Sequence, residues 1–94
     1  MIRVASLVTL TDQGMRELGD LGGAVQQVRE TVSGVGGTLE HAWATAGAYD
    51  FVAILSFPDL DAEFRARNEV YKQGVFRAEH MPAIPMEEAI RIAG

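Results

Sequence analysis

The chain contains no cysteine. That removes disulfides, thiolate nucleophiles, iron–sulfur clusters and cysteine-ligated zinc from the chemistry open to it. Basic residues are few: eight lysines and arginines against thirteen acids, a formal charge of −5, with the eight scattered along the chain. A phosphate backbone would be repelled by most of such a surface, so this chain on its own is not expected to bind DNA or RNA. No apolar run approaches the ~20 residues of a membrane-spanning helix, so no membrane partner is expected. The N-terminal MIRVASLVTLTD alternates, and no small-residue cleavage site follows a central apolar block, so it reads as a strand and not a secretion signal. A cytoplasmic setting is the expectation. Histidine is scarce too. His41 and His80 are the only imidazoles, too few for the three or so convergent ligands of a metal site, so neither a metal nor a cofactor is expected.

What is there is ordinary for a folded chain: 48% hydrophobic and 22% charged residues over 94 positions, read as one domain spanning 1–94. A domain of this length buries only about 60–65% of its extended-chain surface, so a partner subunit is a natural source of further burial.

Residues 2–10, IRVASLVTL, alternate as a strand, with Ile2, Val4, Val8 and Leu10 on one side and Arg3, Ala5, Leu7 and Thr9 on the other. Thr11-Asp12-Gln13-Gly14 stops it, and Thr11 or Asp12 is placed to cap a helical turn. Leu21, Val25, Val28, Val32 and Val35 then recur at steps of four and three, one stripe of an amphipathic helix. Ser33-Gly34-Val35-Gly36-Gly37 ends that helix. This run follows a helix and precedes a strand, so it is a C-terminal cap and not a phosphate cradle.

Thr38–Thr45 reads as a second strand with Leu39, His41 and Trp43 on one face, and Tyr49–Phe57 as a third, apolar on both sides and therefore central. Pro58-Asp59 opens a second helix that runs to about Gln73 and stops at Gly74, with Asp59, Asp61 and Glu63 suiting its positive end. Val75–Ala83 is a fourth strand, on which Glu79 and His80 point to opposite faces. Pro85 begins a short terminal helix. The order βαββαβ plus a C-terminal helix predicts an α+β, ferredoxin-like sandwich: a four-stranded antiparallel sheet with its main helices on one face. Leu7, Trp43, Phe76, Ala78 and the two-sided third strand leave the other face too apolar for water. A second copy of the sheet would cover it, giving a dimeric α/β barrel.

With these residues placed, the chain resembles the GYD-domain family of small bacterial proteins. The resemblance rests on Thr11-Asp12-Gln13-Gly14, Gly36-Gly37, the hairpin residues Gly47, Tyr49 and Asp50, and Pro58-Asp59, in order over nearly the whole chain. It implies a dimeric α/β barrel more than a defined activity. Leu10 departs from the pattern, since relatives often carry an aromatic residue before Thr11. The hairpin also resembles the ligand-sensing domain of the feast/famine transcription regulators, where such a turn lies at a subunit interface that receives small metabolites. No DNA-binding region precedes the first strand, so the expectation is a sensor without a reader.

The candidate ligand site is therefore Thr9, Thr11, His41, Trp43, Gly47, Tyr49 and Asp50. Tyr49 and Asp50 would stand at the rim of a partly apolar pocket, His41 and Trp43 deeper, and Thr9 and Thr11 across from them. The competing account is structural: Gly47 supplies a positive φ, Tyr49 covers the sheet edge and Asp50 accepts from loop N–H groups. The leading function is a small-molecule-binding or interaction module working as a homo-oligomer. The alternative is a cofactor-independent oxygenase, isomerase or cyclase with Tyr49, His41, His80 and Asp50 as its acid–base set, supported by fold analogy alone.

Overall fold

The alternation of apolar residues along the first nine positions sets β1 (Ile2–Leu10), and the sheet assembles around it. In a computed structural model describing residues 1–94, β3 (Phe51–Phe57) lies on one side of β1 and β4 (Phe76–Pro82) on the other, both antiparallel. β2 (Thr38–Ala44) completes the order β2-β3-β1-β4, with β2 antiparallel to β3. Between β1 and β2 run a short helix α1 (Asp12–Arg16), a 3₁₀ turn (Leu18–Asp20) and α2 (Leu21–Gly34). α3 (Leu60–Gln73) joins β3 to β4, and α4 (Met86–Ala93) ends the chain. This is the α+β arrangement expected, with α2 and α3 side by side on one face of a four-stranded antiparallel sheet.

Local chemistry fixes the joints. Thr11 Oγ1 accepts the Gly14 N–H at 3.0 Å and caps α1, while the Thr11 N–H donates to the Val75 carbonyl at 3.0 Å. Its hydroxyl also donates to the Gly74 carbonyl. A side chain at buried Gly14 would run into the Val75 carbonyl, which is why glycine stands there. The Thr11–Gly14 motif thus clamps the end of β1 to the start of β4. Asp59 caps α3 by accepting the Ala62 N–H at 2.8 Å, and Gly74 closes that helix in the left-handed region at φ 79°.

The register decides which residues face the helices. Across β1 and β3, Ile2 pairs with Phe57, Val4 with Leu55, Ser6 with Ala53 and Val8 with Phe51. These face α2 and α3, and Val4, Leu55, Phe57, Ala53, Val32, Ala62 and Ala66 form the buried core. Two sequence expectations are corrected here. Phe76 and Ala78 pair with Leu10 and Val8, so they lie on the helix side and not on the open face. Leu39, His41 and Trp43 do not share a face either. A β-bulge between Leu39 and His41 inserts one extra residue, so Leu39 pairs with core-facing Leu55 while His41 and Trp43 pair with Ile54 and Val52 on the other side. Glu40, the extra residue, is tied down by the Arg3 guanidinium at 3.2 Å, which also holds its carboxyl below the usual carboxylate value.

Candidate functional site

The open face of the sheet reads in rows across the strands. One row is His41–Ile54–Ala5–Met81 and the next is Trp43–Val52–Leu7–Glu79. Thr9, paired with Arg77, lies beyond them. The middle of this face is aliphatic, and Trp43, at 54% exposure, lies uncovered at its β2 edge. The His41 and Trp43 rings stack, with centroids 5.5 Å apart and planes 17° from parallel. Tyr49 reaches over from the hairpin and donates its hydroxyl to Glu79 at 3.2 Å. That carboxylate pushes the phenol above its ordinary value of 10.0, so Tyr49 is a held proton donor at neutral pH.

Two of the expected ligand residues are engaged by backbone. Asp50 Oδ2 accepts the Leu10 N–H at 2.8 Å, its own N–H donates to the Val8 carbonyl at 2.8 Å, and its carbonyl accepts the Thr45 N–H at 2.8 Å. Thr11 is occupied with the cap described above. Gly47 has φ 130° and open space around it, so the hairpin tip is free to approach a neighbour. The structure therefore brings His41, Trp43, Tyr49 and Thr9 to one face and places Asp50 and Thr11 in its frame. Asp50→Ala is expected to lower stability by about 1–2 kcal/mol, as for a lost partly buried hydrogen bond, whereas Asp50→Asn keeps an acceptor and stays near wild type. Urea unfolding curves measure both.

The proposed acid–base set does not converge. Tyr49 and His41 are on the open face, Asp50 is spent on Leu10, and His80 pairs with Ser6 on the helix side. There His80 meets Glu63, read from the sequence only as a first-turn acid of the helix, and Arg67, which the sequence did not single out. Glu63 is only 2% exposed; it forms an ion pair with Arg67, and its Oε1 lies 3.8 Å from His80 Nδ1. Burial holds His80 below its ordinary value of 6.5, so the imidazole is neutral at physiological pH. The available signal was the i,i+4 spacing of Glu63 and Arg67 beside Ala62 and Ala66, the face of α3 that turns toward the sheet. No group of three or more metal-ligating side chains comes together anywhere in the chain.

Residues 5–93 match the GYD domain. The chain belongs to the GYD-domain family. No curated protein matches it in sequence. Among solved structures this GYD domain is similar in fold to MtbAldR, at TM-score 0.68 and 16% identity over 89% of the chain. It spans about half of that protein, 52% of its length. FFRP-DM1 is similar at TM-score 0.62 and 16% identity, over 89% of the GYD chain and 100% of its own. At such identity the likeness is one of fold, and it agrees with the resemblance to feast/famine regulators carried by the hairpin.

Proposed function

We propose that this GYD domain is a small-molecule-binding regulatory module that works as a homo-oligomer, with the open sheet faces of two copies meeting. The observation that carries this reading is the uncovered aliphatic centre of the sheet, Ala5, Leu7, Val52 and Ile54, with polar and aromatic groups gathered at its hairpin end. An antiparallel sheet standing alone commonly exposes an alternately polar face; the centre of this one is aliphatic.

Size bears on how the copies would meet. Four strands about 4.8 Å apart and about seven residues long give a face of roughly 440 Å² in projection. A stable interface buries about 800 Å² per subunit, so a second element beside the sheet is needed. α4 fits that part. It carries Met86, Ala89, Ile90 and Ala93 at helical spacing, leaves Met86 and Ile90 about two-thirds exposed, and no strand or helix of its own chain packs closely on it. At the junction so formed, His41, Trp43 and Tyr49 would line a pocket for a small metabolite, with Thr9 beside them and Gly47 letting backbone come close. Asp50 and Thr11 hold the frame. The feast/famine likeness supports this placement by fold.

The rival reading, an enzyme without a cofactor, keeps one observation: the neutral, half-buried His80 beside Glu63 has the form of a general base. Ligand binding needs no such group on the open face, and the open face is the larger unexplained surface.

Sedimentation equilibrium at micromolar concentration tests the proposal. Wild type should run as a dimer or a multiple of it, and Ile54→Lys, a charge in the middle of the face, should yield a folded monomer. A wild-type chain that is monomeric and fully folded would remove the basis for this function.

A further inference from the structure

The helix side of the sheet is hollow. Ala53 and Ser6 are neighbours in the sheet, and Ala66 and Ala78 stand nearby on α3 and β4. All four are small, and between them and the walls made by Val28 and Val70 lies a cavity of about 240 Å³. It opens at the β2 edge, where Ala42 and Ala44 are exposed. Protein interiors are packed close, so a half-open apolar cleft of this size beside the core of so short a chain is room for a guest. An apolar cavity of about 150 Å³ accepts benzene, so this one has room for roughly ten non-hydrogen atoms.

The cavity is apolar except at one spot. Ser6 and Glu63 are each 2% exposed, and both line it together with Arg67 and His80. Glu63 Oε1 is taken by Arg67, but Oε2 is buried with no hydrogen-bond partner. Arg67 Nε and His80 Nδ1 are buried and unpartnered as well. Buried polar atoms are nearly always satisfied, and three orphans around one carboxylate mark a place where something is missing. The local charge is already balanced: Glu63 and Arg67 cancel, and His80 is neutral. An added carboxylate or ammonium would bring an uncompensated charge into an apolar surrounding. A hydroxyl brings none. Its O–H is the donor that the unpartnered Glu63 Oε2 lacks, and its oxygen can accept from a nearby N–H.

We infer that this cavity is a second binding site, for an uncharged, mostly apolar molecule of about this size bearing one hydroxyl, with Glu63 as the group that selects the hydroxyl. It lies on the helix side of the sheet and meets the face proposed to pair only at Trp43 on the β2 edge, so it does not depend on that face pairing.

Three probes of one shape test it: 4-ethylphenol, ethylbenzene and 4-ethylbenzoate, titrated into the full chain while valine methyl resonances are followed by NMR. With 4-ethylphenol the Val28 and Val70 methyls are expected to shift and saturate, and at a concentration at least tenfold below that needed for either analogue. Glu63→Gln should bring the phenol's advantage over ethylbenzene to within threefold. Ala78→Leu, which leaves Glu63 intact and fills the hollow, should abolish binding of all three, and it decides the matter should Glu63→Gln not fold. Equal affinity for the three probes would overturn the inference. So would shifts confined to Val52 on the open face, or none at millimolar 4-ethylphenol, the result for a hollow that holds only water.

Discussion

Arg67→Ala should destabilise the fold by about 3 kcal/mol, because it leaves the Glu63 carboxylate buried without its counter-charge. Removing one partner of a buried ion pair costs about 3–5 kcal/mol. Arg67 is itself 27% exposed, so water gains some access in its place and the low end of that range applies. For a domain of this size about 3 kcal/mol corresponds to a fall of roughly 12–24 °C in melting temperature. The reverse deletion, Glu63→Met, should cost less, since the freed guanidinium can turn to solvent. The double variant Glu63→Met/Arg67→Met should return close to wild type, since well-packed apolar residues replace a buried pair at little or no cost. Urea unfolding of wild type, Glu63→Met, Arg67→Met and the double variant closes the cycle, with Arg67→Ala measured beside them. Equal stability of Arg67→Ala and wild type would mean that Glu63 is not buried as described.

Phe57→Ala should cost about 3–5 kcal/mol, the range for deleting a buried aromatic ring. Phe57 is 2% exposed at the end of β3, in the core with Val4, Val32 and Leu55. The site has little capacity to collapse around the loss. Gly37 already packs so tightly there that a Cβ on it would lie 2.8 Å from the Phe57 ring and 2.7 Å from the Ser56 carbonyl oxygen. Total stability for a chain of this length is about 5–14 kcal/mol, so the variant should be largely unfolded at modest urea concentration. Phe57→Leu retains most of the volume and should lose less than half as much. Circular dichroism against urea distinguishes the two.

The sequence spoke clearly where one rule acts alone. Period two in Ile2–Leu10, period 3.6 in Leu21–Val35, and the caps at Thr11, Asp59 and Gly74 each set a boundary through local forces, and the structure keeps them. It was silent where two distant segments decide together. The bulge at Glu40 depends on how β2 lies against β3, and strict alternation therefore carried His41 and Trp43 to the same side as Leu39 when they belong opposite it. Phe76 and Ala78 went astray for the same reason, since pairing with Leu10 and Val8 fixes their side and an isolated strand does not. Glu63 was read as a first-turn acid stabilised by the helix dipole, which its position in α3 satisfies. That its side chain turns inward depends on Ser6, Ala53 and Ala66 being small enough to leave it space, a property of three elements at once. Among the hairpin residues, Asp50 could be read from its neighbours as a loop acceptor. That its partner would be Leu10, forty residues earlier, could not.

The bulge also divides β2 into two halves of opposite phase, and phase is a matter of counting, not of side-chain identity. Substitutions along the strand alter what His41 and Trp43 present, but none of them changes where they point. Loss of a single codon at Glu40 would not either: it would remove the extra residue, leave Leu39 opposite Leu55 and His41 opposite Ile54, and keep the ring pair outside. Loss of Ala42 would instead make His41 and Trp43 consecutive and so send the two rings to opposite faces. In lineages descended from such a fold, a change of length by one therefore counts by where it falls along β2. The position of a gap, and not its mere presence, would record whether a relative keeps both rings on one side.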